Sequence, residues 1–303
     1  MIDLCDRYRG AMLGLAVGDA LGTSVEFSPR GSFEPLTDLV GGGPFNLEPG
    51  QWTDDTSMAL CLADSLISCG GFDAADQMTR YLNWYKWGYF SSTGVCFDIG
   101  ITTARALEKY SVTGDPFAGS TDPSTAGNGS LMRLAPIPLF YFHNIDQTIH
   151  FAGESSRTTH AAPEAIECCR LMASVMFQLL SGRHKAEIVK QPIYSSPMTV
   201  IRDLTGTALS GKHESEIAGT GYCVRSLEAA LWSFLTTESF SDAVLKAANL
   251  GDDADTTAAI AGQLAGAYYG VEGIPSRWLV LVSLRQDIED FADQLLSRGR
   301  GQP

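Results

Sequence analysis

Apolar residues recur along most of the chain at the three- and four-residue spacing of amphipathic helices. In the first such segment Leu4, Tyr8, Met12 and Leu15 fall on one face. Runs of alternating β-branched residues, which would indicate strands, are nearly absent. The pattern predicts an all-α protein with a single domain over residues 1–303. Helices are predicted over residues 4–22, 54–69, 73–88, 99–110, 240–250, 255–270 and 283–297, with two more within 146–181 and one that starts at 222.

Two long segments lack the helical pattern. Residues 28–52 contain four prolines and a run of three glycines, which predicts an irregular loop. Loops of this length are commonly functional, and this one separates Glu26 from the first acidic motif. We therefore expect it to lie over the candidate site. Residues 182–222 form the other irregular segment.

Three glycines four residues apart, Gly10, Gly14 and Gly18, lie in the first predicted helix. The charges of Arg7 and Asp19 in the same helix exclude a membrane span, so the spacing predicts close packing against another helix of a soluble core. Asp19 lies near the helix C-terminus, where a carboxylate opposes the helix dipole. We expect it to have a partner.

Composition narrows the class of protein. The 303 residues are 45% hydrophobic and only 18% charged, which favours a well-filled core. The formal net charge of −14 argues against binding of nucleic acid backbones. Seven cysteines in a long chain do not indicate a disulfide framework, so we expect a reducing cytoplasm. The N-terminus lacks the order of a signal peptide, and no segment is apolar enough to cross a membrane.

Two acidic motifs stand where predicted helices begin: Gly50-Gln-Trp-Thr-Asp-Asp-Thr-Ser57 and Gly251-Asp-Asp-Ala-Asp-Thr-Thr257. Acidic residues at a helix start can be ordinary solvated caps. Two such starts can also converge on a cation, and ligands that are all oxygen suit Mg²⁺, Mn²⁺ or Ca²⁺ rather than zinc. Asp54, Asp55, Asp253 and Asp255 exceed the charge of one divalent ion, which suggests two ions bridged by a shared aspartate.

Weaker signals surround these motifs. A turn over residues 127–130, Gly-Asn-Gly-Ser, at the head of a predicted helix would expose N–H groups that bind phosphate, although most such turns only redirect the chain. His160 lies in a polar loop before the helix that starts near Pro163. Either Thr159 or His160 could cap that helix, and a capping or solvated histidine is as consistent with the pattern as a ligand contact. Glu26 is a lone loop glutamate, usually only solvated.

These motifs, in this order, resemble the ADP-ribosylglycohydrolase family, which includes the dinitrogenase reductase-activating glycohydrolases and the ADP-ribosylarginine hydrolases. The resemblance extends from residue 10 to about residue 270. It implies an orthogonal bundle of helices that holds two Mg²⁺ or Mn²⁺ ions. By motif position the metal ligands would be Thr53, Asp54, Asp55, Asp253, Asp255 and Thr256.

The resemblance also implies roles for other residues. Glu26 matches a loop glutamate near the bond that is cleaved, so Glu26, Asp55 and Asp253 are the candidate catalytic residues. Tyr222 falls where some bacterial members stack the adenine. Asp252 departs from the pattern, because this position is often glycine. The ribose and diphosphate would lie against Gly127, Asn128, Gly129, Ser130 and His160.

The function that the resemblance implies is hydrolysis of the N-glycosidic bond between ADP-ribose and an acceptor, foremost a protein arginine. The partner would be an ADP-ribosylated protein or a small ADP-ribosyl substrate, and we expect a monomer. Other acceptors remain open: ADP-ribosyl-serine, a modified nucleobase or a small ADP-ribose ester. Two further alternatives are a non-catalytic ADP-ribose-binding protein and an unrelated all-α metal phosphohydrolase.

Overall fold

Two helices rich in small residues, α1 (Leu4–Gly22) and α12 (Ala254–Tyr269), pack against each other more extensively than any other pair. The structure is a computed structural model that describes residues 2–206 and 209–299. The two helices run antiparallel, since Gly10 of α1 faces Gly266 of α12 and Gly18 faces Ala258. A Cβ atom added at Gly10 would lie 2.3 Å from the Gly266 carbonyl oxygen, and one at Gly18 would lie 2.1 Å from that of Ala258. The predicted close packing of the glycine face is confirmed.

In the described residues twelve further helices surround this pair. The bounds of eight follow the predicted segments closely, and the other four are short helices of four to six residues outside those segments. Between them lie short 3₁₀ segments, of which Thr23–Val25 directly continues α1. The described residues form only isolated β-bridges and no strand, so the predicted all-α architecture is confirmed. The helices are α2 (Asp54–Cys69), α3 (Ala74–Trp87), α4 (Ile101–Thr113), α5 (Pro136–Phe140), α6 (Ile145–Arg157), α7 (Pro163–Leu180), α8 (Lys185–Lys190), α9 (Thr199–Arg202), α10 (Cys223–Leu235), α11 (Phe240–Ala248), α13 (Ser276–Leu279) and α14 (Arg285–Gly299).

One continuous apolar core runs between these helices, from α1 to α14. Its largest fully buried side chains include Trp52, Trp84 and Trp278. The seven cysteines are free thiols. None of the helices within the described ranges is long and apolar enough to cross a membrane. The irregular segment predicted over 182–222 contains short α8 and α9, and its residues 207 and 208 lie outside the described ranges.

Three local predictions are wrong. No helix follows the turn over residues 127–130 directly: residues 131–135 form further turns, and α5 begins only at Pro136. Pro136 and Pro138 lack the backbone N–H groups that a helix starting at residue 131 would need for its hydrogen bonds. The cap of α7 is Ala162, which makes no side-chain bond, rather than Thr159 or His160. Finally, none of residues 28–52 lines the cavity described below.

Candidate active site

The starts of α2 and α12 meet in space. The Thr53 hydroxyl lies 3.4 Å from Oδ2 of Asp255, and the Thr256 hydroxyl lies 3.4 Å from Oδ1 of Asp55. Each helix start thus reaches the carboxylate of the other. Asp55 is fully buried and Asp255 is 1% exposed. The alternative that the two motifs are unrelated solvated caps is therefore wrong.

Asp19, at the end of α1, holds the start of α2 in place. Its Oδ1 accepts hydrogen bonds from the N–H and hydroxyl of Thr53, at 2.9 and 3.0 Å. Its Oδ2 accepts from the N–H and hydroxyl of Thr56, at 3.0 and 2.6 Å. The carboxylate therefore caps α2 from another helix and satisfies two N–H groups that would otherwise lack partners. The expected partner of Asp19 is the N-terminus of α2.

Glu26 and Asp98 complete the acidic cluster. Each offers a carboxylate oxygen, as does Asp255, and the three oxygens lie within 4.8 Å of one another. Glu26 follows the 3₁₀ turn that continues α1. Asp98 precedes α4 in a left-handed backbone conformation, with φ at 59°. Sequence reasoning missed Asp98, because a single aspartate in an irregular segment carries no motif.

The cluster concentrates negative charge away from water. Burial, and then the charge of Asp255, raises the pKa of Glu26 to about 10. Burial, and then the charge of Asp54, raises the pKa of Asp98 to about 10. Burial also raises the pKa of Asp19, although its four hydrogen bonds limit this pKa to about 6. Among the described residues, those that line the adjacent cavity include no lysine or arginine to neutralise the cluster.

These residues fit hard divalent cations. Three buried carboxylate oxygens have no hydrogen-bond partner among the described residues: Oε2 of Glu26, Oδ2 of Asp55 and Oδ1 of Asp255. Unpaired buried carboxylates are costly unless they are protonated or bind a cation. The donors around them are carboxylate and hydroxyl oxygens, which Mg²⁺ and Mn²⁺ prefer.

A cavity of about 750 Å³ opens above the cluster. Five residues of the two motifs line it together with Glu26: Asp54, Asp252, Asp253, Asp255 and Thr256. A second cavity of about 260 Å³ is lined by Tyr222 and shares three lining residues with the first: Thr102, Gly127 and Gly221. The two cavities therefore form the arms of one cleft, with the acidic cluster in the larger arm.

The turn over residues 127–130 joins the two arms. Asn128 donates hydrogen bonds from Nδ2 to Asp253 Oδ2, at 2.5 Å, and to the Ser226 hydroxyl, at 2.7 Å. Gly127, Asn128 and Gly129 line the larger cavity. The Ser130 hydroxyl instead contacts Ser156 and Cys169 in the core, so this side chain does not face the cleft.

His160 lies beneath the turn. Its Nδ1 lies 2.9 Å from the Thr159 hydroxyl, which accepts a hydrogen bond of 2.7 Å from Arg133. Burial and the charge of Arg133 lower the pKa of His160 to about 3, so the ring is neutral. This ring lines the larger cavity beside Gly127 and Gly129. His160 is 2% exposed, which excludes a solvated histidine.

The fold and the cleft define an all-α protein whose acidic cluster lies beside a cavity large enough for a nucleotide. The chain belongs to the ADP-ribosylglycohydrolase family, which it matches over residues 1–303, so the family predicted from the motifs is confirmed.

Individual relatives agree with this assignment. The chain is 47% identical over 294 residues to ADP-ribosylarginine hydrolase Tri1 of Pseudomonas putida (strain GB-1), across 97% of this chain and 78% of that protein. It is 33% identical to ADP-ribosyl-[dinitrogen reductase] glycohydrolase of Rhodospirillum rubrum, across 96% of each. A solved structure described as an ADP-ribosylglycohydrolase-related protein complex superposes with a TM-score of 0.87 at 44% identity, over 98% of this chain and 99% of that chain.

Proposed function

We propose that this protein hydrolyses the N-glycosidic bond between ADP-ribose and an arginine of a modified protein. The observation that carries the proposal is the cleft, in which a buried acidic cluster lies in one arm and a tyrosine in the other. The names of two relatives, an ADP-ribosylarginine hydrolase and an ADP-ribosyl-[dinitrogen reductase] glycohydrolase, support it.

The metal ligands in this proposal are the residues predicted from the motifs, and the unpaired carboxylate oxygens beside them support two divalent ions. When bound, Mg²⁺ or Mn²⁺ would neutralise the cluster and act as a Lewis acid toward substrate oxygen atoms. The proposed set is Thr53, Asp54, Asp55, Asp253, Asp255 and Thr256.

The diphosphate and ribose would lie along the turn over residues 127–130. We assign the proton of the neutral His160 ring to Nε2, with Nδ1 as the acceptor of the Thr159 hydroxyl, so that the Nε2–H group donates toward substrate oxygens there. The N–H of Gly129 is a second donor, since it makes no hydrogen bond to another described residue. Tyr222 is 36% exposed in the smaller arm, where its ring can stack on the adenine.

Hydrolysis requires two proton transfers. The bond from ribose C1′ to the guanidine nitrogen breaks, and a bond from C1′ to a water oxygen forms, through a transition state of oxocarbenium character. A carboxylate must accept the proton of the water, and a protonated group must give one to the departing guanidine. We assign these transfers to Glu26 and Asp98, because both line the larger cavity and their oxygens lie within 4.8 Å of each other.

The test is release of free ADP-ribose from an ADP-ribosyl-arginine peptide with Mg²⁺ or Mn²⁺ present. We expect turnover by the wild type and a loss of at least about a thousandfold in kcat for Glu26→Gln or Asp98→Asn. Wild-type protein that binds ADP-ribose without turnover would identify a binding protein instead. Parallel assays with seryl, nucleobase and ester conjugates separate the other acceptors, and release of inorganic phosphate would indicate a phosphohydrolase.

The proposal also covers the cellular compartment, the partner and the oligomeric state of the enzyme. Seven free thiols support a reducing compartment such as the cytoplasm. The partner would be the ADP-ribosylated target protein, and action as a monomer stays a prediction.

A further inference from the structure

Two residues at the mouth of the larger cavity, Phe27 and Asp252, have no role in the scheme above. Both line the cavity. The Phe27 side chain is 65% exposed although it is aromatic. The exposed Asp252 carboxylate makes no hydrogen bond to any residue in the described ranges. Each of the two residues is the sequence neighbour of a residue in the acidic cluster. The exposed aromatic ring of Phe27 follows Glu26, and the unpaired carboxylate of Asp252 precedes Asp253.

Two backbone hydrogen bonds hold Phe27 and Asp252 next to each other. The N–H of Phe27 donates to the Asp252 carbonyl at 2.8 Å, and the N–H of Asp252 donates to the Ser28 carbonyl at 2.9 Å. Both residues adopt left-handed conformations, with φ at 61° and 56°. Such conformations are uncommon for residues other than glycine. The conformation of Asp252 explains why glycine suits this position, and aspartate is one of the few other residues that adopt it readily.

Arg30 holds the backbone around Phe27 and Asp252 in place through hydrogen bonds. Its guanidinium donates to the carbonyl oxygens of Leu250, at 3.3 Å, and Glu214, at 2.8 Å. These bonds tie the loop after Phe27 to the end of α11 and to the segment before Gly221. The pair is thus preorganised, which lowers the entropy cost of binding a ligand there.

The cleft geometry indicates which part of the substrate meets this pair. The smaller arm, which meets the larger arm at Thr102, Gly127 and Gly221, holds the adenine under the proposed function. Phe27 and Asp252 line only the larger arm. The group attached to ribose C1′ then lies in the larger arm, whose lining includes these two residues.

We propose that Phe27 and Asp252 form the cradle for the acceptor guanidinium and so determine specificity for arginine, an inference that rests on the proposed function. A guanidinium is a planar cation that forms charge-assisted hydrogen bonds with a carboxylate and stacks on an aromatic face. A neutral acceptor such as serine would gain neither interaction. Asp252 thus adds negative charge where a cationic acceptor leaves.

The variants are chosen to leave the backbone unchanged. Asp252→Asn removes the charge, and asparagine tolerates a left-handed conformation. Phe27→Leu removes the aromatic face and keeps an apolar side chain at the same position. The matched control is Glu272→Gln, because Glu272 is an exposed acid just beyond the opposite end of α12. It removes the same charge about 25 Å away along the helix.

The measurement is steady-state hydrolysis of an ADP-ribosyl-arginine peptide at saturating Mg²⁺, together with the Kd for free ADP-ribose. We expect each variant to raise KM for the arginine peptide about tenfold. The Kd for ADP-ribose and the Mg²⁺ concentration for half-maximal rate should stay as in the wild type. Added salt should raise KM for the wild type and for Glu272→Gln, and much less for Asp252→Asn.

Two results would overturn the cradle. One is an unchanged KM for the arginine peptide in both variants of a wild-type enzyme that is active. The other is a loss of affinity for free ADP-ribose as large as the rise in KM for the arginine peptide. That result would assign Phe27 and Asp252 to the binding of the nucleotide or of the metals. If the wild type releases no ADP-ribose from arginine, the proposed function fails and the cradle fails with it.

Discussion

Oδ2 of Asp19 accepts a hydrogen bond of 2.6 Å from the Thr56 hydroxyl, so the last turn of α1 fixes the first turn of α2. The same carboxylate also accepts the N–H of Thr56 and both donors of Thr53. Because α1 is packed on α12 through its glycine face, this one side chain sets the position of α2 relative to α12. The geometry of the acidic cluster therefore depends on a residue that is not a candidate metal ligand.

Replacing Asp19 with alanine leaves four buried donors without an acceptor. We expect a loss of about 3 kcal/mol in the free energy of unfolding, measured by urea denaturation with EDTA present. Glu108→Ala, an exposed acid in α4, serves as the control and should change stability by less than about 0.5 kcal/mol. A loss no larger than that of the control would show that Asp19 does not hold α2.

The glycine face between α1 and α12 should not tolerate a methyl group. In Gly18→Ala the new Cβ would lie 2.1 Å from the Ala258 carbonyl oxygen, so the helices must separate. We expect a destabilisation of about 3 kcal/mol and reduced ADP-ribose release.

Gly211→Ala is the matched control, since a Cβ there meets open space. Thermal unfolding of the two variants compares them directly. Equal melting temperatures would contradict the close packing of α1 on α12.

The stability of the metal-free protein should fall as pH rises. The pKa values of Glu26 and Asp98 are raised to about 10 in the fold from ordinary values of 4.5 and 3.8, so the folded state binds more protons than the unfolded chain at neutral pH. Their stabilising contribution is full below the ordinary values and is lost as pH rises through about 10. His160, with its pKa lowered to about 3 from 6.5, gives an opposite trend only below pH 6.5.

The effect of Glu26 and Asp98 on stability is therefore best measured between pH 6.5 and 8.5, above the range in which His160 gives the opposite trend. We expect the unfolding free energy in EDTA to drop there by about 2.7 kcal/mol per pH unit, because the fold holds two extra protons on Glu26 and Asp98. Stabilisation by added Mn²⁺ should grow over the same range, since the cation competes with those protons. A metal-free stability that rises with pH across this window would contradict the description of the cluster.

His160 should contribute through its Nε2–H group. We expect His160→Ala to weaken ADP-ribose binding about tenfold, while His160→Gln, which keeps an N–H donor, loses less. Thr159→Val removes the hydroxyl beside Nδ1, which in our assignment keeps the ring proton on Nε2, and should reduce affinity with the ring still present. Titration calorimetry with ADP-ribose measures all three, and an unchanged affinity in His160→Ala would remove the residue from the nucleotide site.

Much of this arrangement could be predicted because it depends on local signals. The bounds of α1 and α2 follow from periodic apolar residues and from the left-handed glycine, Gly70, that ends α2. The meeting of the two acidic motifs was also predicted, because acids at two helix starts can bind a common cation. Asp98 could not be found this way, because only tertiary packing brings its turn to the cluster. The inward orientation of Ser130 likewise depends on Ser156 and Cys169, which are distant in sequence.

The central claim is that the starts of α2 and α12 hold divalent cations jointly. Titration of the protein with Mn²⁺, followed by calorimetry or paramagnetic resonance, tests it in wild type, Asp55→Asn and Asp255→Asn. We expect tight binding in the wild type and its loss in either variant alone, because each helix supplies ligands that the other cannot replace. Tight Mn²⁺ binding that survives in either variant would contradict a site shared between the two helices.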